Sequence, residues 1–184
     1  VPGDRCILDG FNKLPAAHSL IFSLIDSSIS IKKYWELPVN QKNNLSELDL
    51  TEELEELLDN SVKHQLVADV PVGVLLSGGV DSSLITAIAA RHTGHLKTFN
   101  VRFPGHGKFD ETAHARKISK HFGTEHIELE ALPVDVDLLI KLARQFDEPI
   151  VDSSMIPMFM VSELVQPHCK VVLGGDGADE LFGG

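Results

Sequence analysis

Val70-Pro71-Val72-Gly73-Val74-Leu75-Leu76-Ser77-Gly78-Gly79-Val80-Asp81-Ser82-Ser83 is the stretch on which the fold turns. An apolar run ends in Ser-Gly-Gly, and a helical pattern begins at once. This reads as a strand that feeds a helix N-terminus through a loop built to hold an anion. Glycine tolerates close backbone approach and positive φ. The first N–H groups of a helix lack intrahelical partners and favour negative charge. Ser77, Ser82 and Ser83 add hydroxyl donors. Asp81 would repel a bare phosphate, so its presence points to a divalent cation between carboxylate and phosphate.

Outward from this stretch, strand and helix patterns alternate through residues 51–184. A helix is expected from about Thr51 as N-cap, with Glu52 and Glu53 in its first turn. Its Leu54, Leu57, Leu58, Val62 and Leu66 share one face. A continuous apolar strand at 72–76 follows, as in a sheet covered on both faces. Then come a helix over 82–92 stopped by Gly94, a strand over 98–103, and a helix over 110–122 capped by Gly123. A strand over 125–129, a helix over 134–146, a further helix beginning near Pro157 and a strand over 170–173 complete the series. Such alternation predicts an α/β fold, a parallel sheet with helices on both faces. In such sheets ligands bind beyond the carboxyl ends of the strands.

Residues 1–45 read as a separate region. Short strands are expected at Ile7-Leu8, at 20–25 and at 29–31, with turns at Asn12, Pro15 and Asp26-Ser27-Ser28. Tyr34-Trp35, Pro38 and residues 40–44 read as a linker.

A second dense cluster is Gly174-Gly175-Asp176-Gly177-Ala178-Asp179-Glu180-Leu181-Phe182-Gly183-Gly184, after the strand that ends at Leu173. Asp and Gly are ordinary turn residues, but this turn lies at the same sheet edge as the Ser77 loop. Mg²⁺ takes oxygen ligands from one or two carboxylates plus substrate phosphates. Asp81 and Asp179 are the candidates to supply one each.

The 184 residues are 43% hydrophobic and carry a formal net charge of −11, with a mean hydropathy of +0.04. That supports a real core and excludes a disordered tail. No Lys/Arg cluster favours nucleic acid, and no apolar run nears the ~20 residues of a membrane span. Cys6 and Cys169 form no C-x-x-C or metal pattern, as expected of a reduced, cytoplasmic protein. The nine histidines form no H-E-x-x-H or Cys/His set. Helix-end and surface roles are expected for them. His106 and Lys108 lie in a Gly-rich loop that either closes over nucleotide or simply connects two elements.

The loop is not a Walker A motif, since no lysine follows its glycines. Its S-G-G-x-D-S pattern resembles the PP-loop of ATP pyrophosphatases, which break ATP between the α and β phosphates. With Leu14-Pro15-Ala16-Ala17-His18, Tyr34-Trp35, Phe109-Asp110-Glu111, the run from Asp147-Glu148-Pro149 to Ser154 and the G-D-G-A-D-E-L-F-G-G end, the chain resembles glutamine-dependent asparagine synthetases and their β-lactam synthetase relatives. The resemblance implies an adenine nucleotide alpha hydrolase-like (PP-loop) fold. It assigns residues 1–45 to the β tail of a glutaminase domain plus linker, and 46–184 to the first part of the synthetase domain. It implies ATP and Mg²⁺ as cofactors. A carboxylate, aspartate first, would be adenylated and then converted to an amide by ammonia from glutamine. Ser77, Gly78, Gly79, Asp81, Ser82 and Ser83 would cradle pyrophosphate, and Asp81 and Asp179 would hold the metal. Leu76 and Val101 would touch adenosine with Gly174 and Gly175 close by. Asp176 would sit by the acyl centre, and Asp152 and Ser153 would line the acceptor pocket.

Some positions depart from that pattern. The family's L-P-P-G-H reads L-P-A-A-H, and an Arg found in some members after the Asp152 segment is replaced here by Met155 and Ile156. That leaves the acceptor acid open. Val1 is not the cysteine nucleophile of the glutaminase half, and Cys6 reads as a structural thiol. The chain starts without Met and stops inside a motif. It therefore reads as an excised piece, expected to bind ATP–Mg²⁺ poorly and not to turn over alone. Small-molecule substrates are the expected partners. Nucleic acid and membrane are not, and the full-length protein is compatible with a homo-oligomer. The alternatives are another PP-loop enzyme of the tRNA-thiolating or NAD-forming kind, a relative acting on a different acid, and a binding module without catalysis.

Overall fold

In the computed structural model, residues 3–38, 44–105, 110–133, 135–146 and 152–182 are described. The chain divides into two units, Val1–Leu45 and Ser46–Gly184.

The first unit is built on an antiparallel hairpin of β1 (His18–Phe22) and β2 (Ile29–Lys33), with Leu20 opposite Ile31. Asp26 shapes its turn. The carboxylate accepts the Ser28 N–H at 3.2 Å and the Ser28 hydroxyl at 2.9 Å. A hydrogen bond from the Ser23 side chain, and then these two from Ser28, hold its pKa below the usual carboxylate value. Ile7-Leu8 is not a strand. The segment turns back on itself through Phe11 N–H to Leu8 O at 3.3 Å, and Arg5 and Asn12 form an isolated antiparallel bridge around it.

The second unit carries a four-stranded parallel sheet of β3 (Val72–Leu75), β4 (Lys97–Arg102), β5 (Glu125–Glu130) and β6 (Val171–Leu173), in the order β5-β4-β3-β6. Its helices are α1 (Glu47–Gln65), α2 (Val80–His92), α3 (Thr112–Phe122), α4 (Val136–Gln145), α5 (Met155–Val165) and the short α6 (Ala178–Phe182). Alternate residues of each strand serve opposite faces. Val74 of β3 and Leu173 of β6 pack with Val62 of α1 and Ile88 and Ala89 of α2. Leu75, Phe99, Val101 and Val172 pack with Val161 and Val165 of α5. The sheet is thus covered on both sides, as expected.

Several boundaries differ from the pattern-based reading. The first helix starts at Glu47 rather than near Thr51 because Ser46 and Asp49 form a capping box. Thr51, inside the helix, donates its hydroxyl to Glu47 O at 2.7 Å. The buried stripe narrows to Leu58, Val62 and Leu66, while Leu57 is 60% exposed. Arg91–Glu55 and His92–Asp59, each at 2.9 Å, tie α2 to the polar side of α1. The helix α2 ends because Thr93 turns extended, and Gly94 plays no left-handed part in it. Gly123 does cap α3 as predicted, with φ of 67°. Pro157 lies in the first turn of α5, where its missing N–H costs nothing.

The strand β4 is not purely apolar. Thr98 and Asn100 are buried on the face opposite Phe99. Thr98 Oγ1 shares hydrogen bonds with Thr124 Oγ1 at 2.8 Å and His126 Nδ1 at 2.9 Å, and His126 Nε2 is buried without a hydrogen-bond partner. Burial lowers the His126 pKa from its usual value, outweighing the attraction of Glu128, and Arg116 pushes the same way. Above the unfolded imidazole pKa, about 6.5, both states hold a neutral ring and the fold keeps its full stability. Below it the unfolded chain takes up the proton first, so stability falls with pH until the folded-state pKa is passed. Stability is expected to decline between pH 7 and 5. The decline should be shallower in His126→Gln, as measured by urea midpoints across that range.

Candidate functional site

The strand order reverses at β3, with β4 and β5 on one side and β6 on the other. The carboxyl edge at such a reversal is a natural crevice. Among the segments that leave the sheet at this edge are the Ser77 loop after β3, the chain entering α3 after β4, the exit from β5 at Ala131 to Pro133, and the turn at 174–177 after β6.

Leu76 enters the loop with both backbone groups held. Its N–H donates to Phe99 O at 2.7 Å, and its carbonyl accepts from Asn100 Nδ2 at 3.1 Å. Ser77 Oγ shares a hydrogen bond with Ser82 Oγ at 2.9 Å and accepts the Gly79 N–H at 3.2 Å. Gly79 is the N-cap of α2, and no side chain caps the first turn. The leading N–H groups of α2 therefore have no side-chain acceptor and are directed at whatever occupies the crevice. Ser83 Oγ is buried with no hydrogen-bond partner. This uncapped turn, with an orphaned hydroxyl behind it, suits an anion that brings acceptors.

Two glycines lock the loop between its neighbours. Gly78 has φ of 91°, and a Cβ there would stand 2.6 Å from His114 Cβ and 2.7 Å from Ala115 N on α3. A Cβ on Gly175 would stand 2.8 Å from Asp81 Cβ and 3.0 Å from Ser82 N. The two motifs, far apart in the sequence, thus lie against each other. Gly78→Ala would suffer both the left-handed strain and the collision with α3. It is expected to cost about 2–4 kcal/mol, seen as a lower urea midpoint.

Beside the loop is a cleft of about 830 Å³, lined among others by Leu76, Ser77, Asn100, Val101, Pro157 and Met160. Its walls are mostly apolar, and Arg102, Asp110 and Glu111 supply polar groups. Arg102 is paired with Glu130. The Asp110 carboxylate accepts the Thr112 N–H at 3.0 Å. The Thr112 hydroxyl and then its N–H, with Arg102 and Arg116 nearby, keep the Asp110 pKa below the usual carboxylate value.

A family model described as asparagine synthase matches residues 53–184. The chain belongs to the asparagine synthase family. A putative asparagine synthetase (glutamine-hydrolyzing) 2 of Methanocaldococcus jannaschii is 38% identical over 187 residues, covering 100% of this chain and 36% of that protein. Asparagine synthetase (glutamine-hydrolyzing) 1 of Bacillus subtilis is 38% identical over 161 residues, covering 86% of this chain and 25% of that protein. The chain thus spans about a third or less of these relatives' length. Among solved structures, an NH3-dependent NAD synthetase from Campylobacter jejuni is similar at 16% identity and a TM-score of 0.47, covering 71% of this chain and 58% of that one.

Within this family member, the residues singled out from the sequence are placed as follows. Leu76, Ser77 and Val101 line the cleft. Gly78, Gly79, Asp81, Ser82, Ser83 and Gly175 form the loop and the turn seated on it. Gly174 adjoins the Asp176 carboxylate, whose Oδ2 would be 2.9 Å from a Cβ there, and Asp179 lies in the first turn of α6. Among the described residues no group of three or more His, Cys, Asp or Glu is gathered to hold a metal. Asp152 instead accepts the Ser154 N–H at 2.8 Å at the start of α5, which lowers its pKa. The α5 residues that reach the cleft are Ile156, Pro157, Met160 and Val161. His106, Lys108, Phe109, residues 147–151 and Gly183-Gly184 lie outside the described residues. Sequence reading missed Asn100. Its signal was a lone amide in an otherwise apolar-alternating strand.

Proposed function

We propose that the full-length protein is an ATP-dependent amide-forming ligase of the glutamine-hydrolysing asparagine synthetase type, with its adenylation site at this crevice. The observation that carries the reading is Gly175 seated on Asp81 and Ser82, which unites the anion loop and the acidic turn in one site. In this reading the base of ATP enters the apolar cleft beside Leu76 and Val101. The β and γ phosphates lie over the N–H groups and hydroxyls of residues 77–83. An acceptor carboxylate oxygen attacks the α-phosphorus, and the α–β bridging bond breaks. Pyrophosphate leaves, held in place by the uncapped first turn of α2. Ammonia then attacks the acyl carbon and AMP departs. Holding the acid and the phosphate in line supplies much of the rate. Asp176, on the turn that meets the loop, is assigned to orient the incoming amine. Mg²⁺, when bound, would be held by Asp81 and Asp179 and would neutralise charge on the departing pyrophosphate. Asp152 and Ser153 are assigned to the acceptor side. Residues 1–45 are assigned to the end of a glutaminase domain and its linker.

The test uses the full-length protein with ATP, Mg²⁺, glutamine and a panel of carboxylic acids, aspartate first. AMP and pyrophosphate release that depends on aspartate is the expected result. Release that depends only on another acid keeps the chemistry and changes the acceptor. ADP as product overturns the reading.

A further inference from the structure

The amide of Asn100 sits between the anion loop and α3. It is 7% exposed. Its Nδ2 donates to the carbonyl of Leu76, the residue just before the loop, at 3.1 Å. Its Oδ1 accepts from Thr112 Oγ1 at 2.9 Å. Thr112 is the first residue of α3, and its own N–H is held by Asp110 at 3.0 Å. Two and three residues further on, His114 and Ala115 press against Gly78. One continuous hydrogen-bonded path therefore runs from Asp110 through Thr112 and Asn100 to Leu76. A second contact, from α3 to Gly78, closes the circuit.

We propose that Asn100 is a positioning residue for pyrophosphate release. It sets the height of the Ser77 loop against α3, so that the N–H groups at the start of α2 meet the β and γ phosphates. The inference rests on the ATP-cleaving function proposed above. A buried carbonyl that loses its donor relaxes toward another partner. The Leu76 carbonyl is one bond from the Ser77 nitrogen, so its relaxation tilts the loop. Of the walls that would hold the base, Val101, Pro157 and Met160 lie outside this path, whereas Leu76 and Asn100 belong to it.

The effect should therefore split by ligand. In the full-length protein, Asn100→Ala is expected to lower kcat for pyrophosphate release ~10–100-fold, the scale at which small misplacements act. AMP, which has no β or γ phosphate, should lose less affinity than kcat loses, because Leu76 and Asn100 form only part of the cleft that would hold it. Asn100→Asp keeps an acceptor for Thr112 but has no donor for Leu76, and should behave like Asn100→Ala. Thr112→Val, which leaves the amide in place but frees its orientation, should give a smaller loss that Thr112→Ser largely restores. This last pair carries the test if Asn100→Ala does not fold. Unchanged kcat in both Asn100 variants, or equal loss of AMP affinity and kcat, overturns the inference. An active wild type with indifferent variants removes only the role of Asn100, whereas a wild type that never cleaves ATP removes the function beneath it.

Discussion

Gly175→Val in the full-length protein is expected to reduce ATP-dependent pyrophosphate release by about 100-fold or more, with the fold retained. A Cβ at this position would stand 2.8 Å from Asp81 Cβ and 3.0 Å from Ser82 N. Both atoms belong to the first turn of α2, which is packed into the core through Ile88 and Ala89 and cannot give way. The turn at 174–177 must move instead, carrying Asp176 away from the loop. The branched side chain of valine adds two further carbons at the same spot. Gly94→Ala is the control, since nothing lies within 4 Å of a Cβ there and its φ is not positive. It should keep activity within about twofold, the usual range for substitutions away from any packed or strained feature. Equal activity in Gly175→Val and wild type would mean that the two motifs do not work as one site.

Phe99→Ala carries the largest expected loss of stability. Phe99 is 1% exposed, and its ring lies directly over Gly73 of β3, where a Cβ would meet Cε2 at 2.6 Å. It packs with Val165 and Cys169 between the sheet and α5. Truncation removes the ring and leaves a space bounded by strands that cannot collapse into it. The cost should be about 3–5 kcal/mol, read as a drop in the urea midpoint with an unchanged slope. Cleft residues Val101 and Val161 pack in the same cluster, so nucleotide affinity should weaken as well. A loss under about 1 kcal/mol would show that the site collapses more readily than the geometry allows.

Much of the architecture was legible in advance because its signals are local. The apolar run before Ser77 announces a strand covered on both faces. Gly123 announces a left-handed cap. The alternation of strand and helix announces a parallel sheet. The helix start was misread because Ser46 and Asp49 satisfy each other's backbone donors, and that pairing outcompetes the weaker appeal of Thr51. Ile7-Leu8 failed as a strand because a short apolar pair has no ladder partner of its own to enforce extension.

By itself the sequence determined the residue types available: a Ser-Gly-Gly loop with Gly78 and Gly79, an acidic turn with Asp176 and Asp179, and the strand series that puts both at carboxyl ends. Those are matters of residue type and short spacing. Only the tertiary structure decided that Gly175 rests on Asp81, that α3 presses on Gly78, and that Asn100 bridges Leu76 to Thr112. These contacts depend on strand order, with β3 lying between β4 and β6. Strand order is a product of long-range packing, which no local pattern encodes.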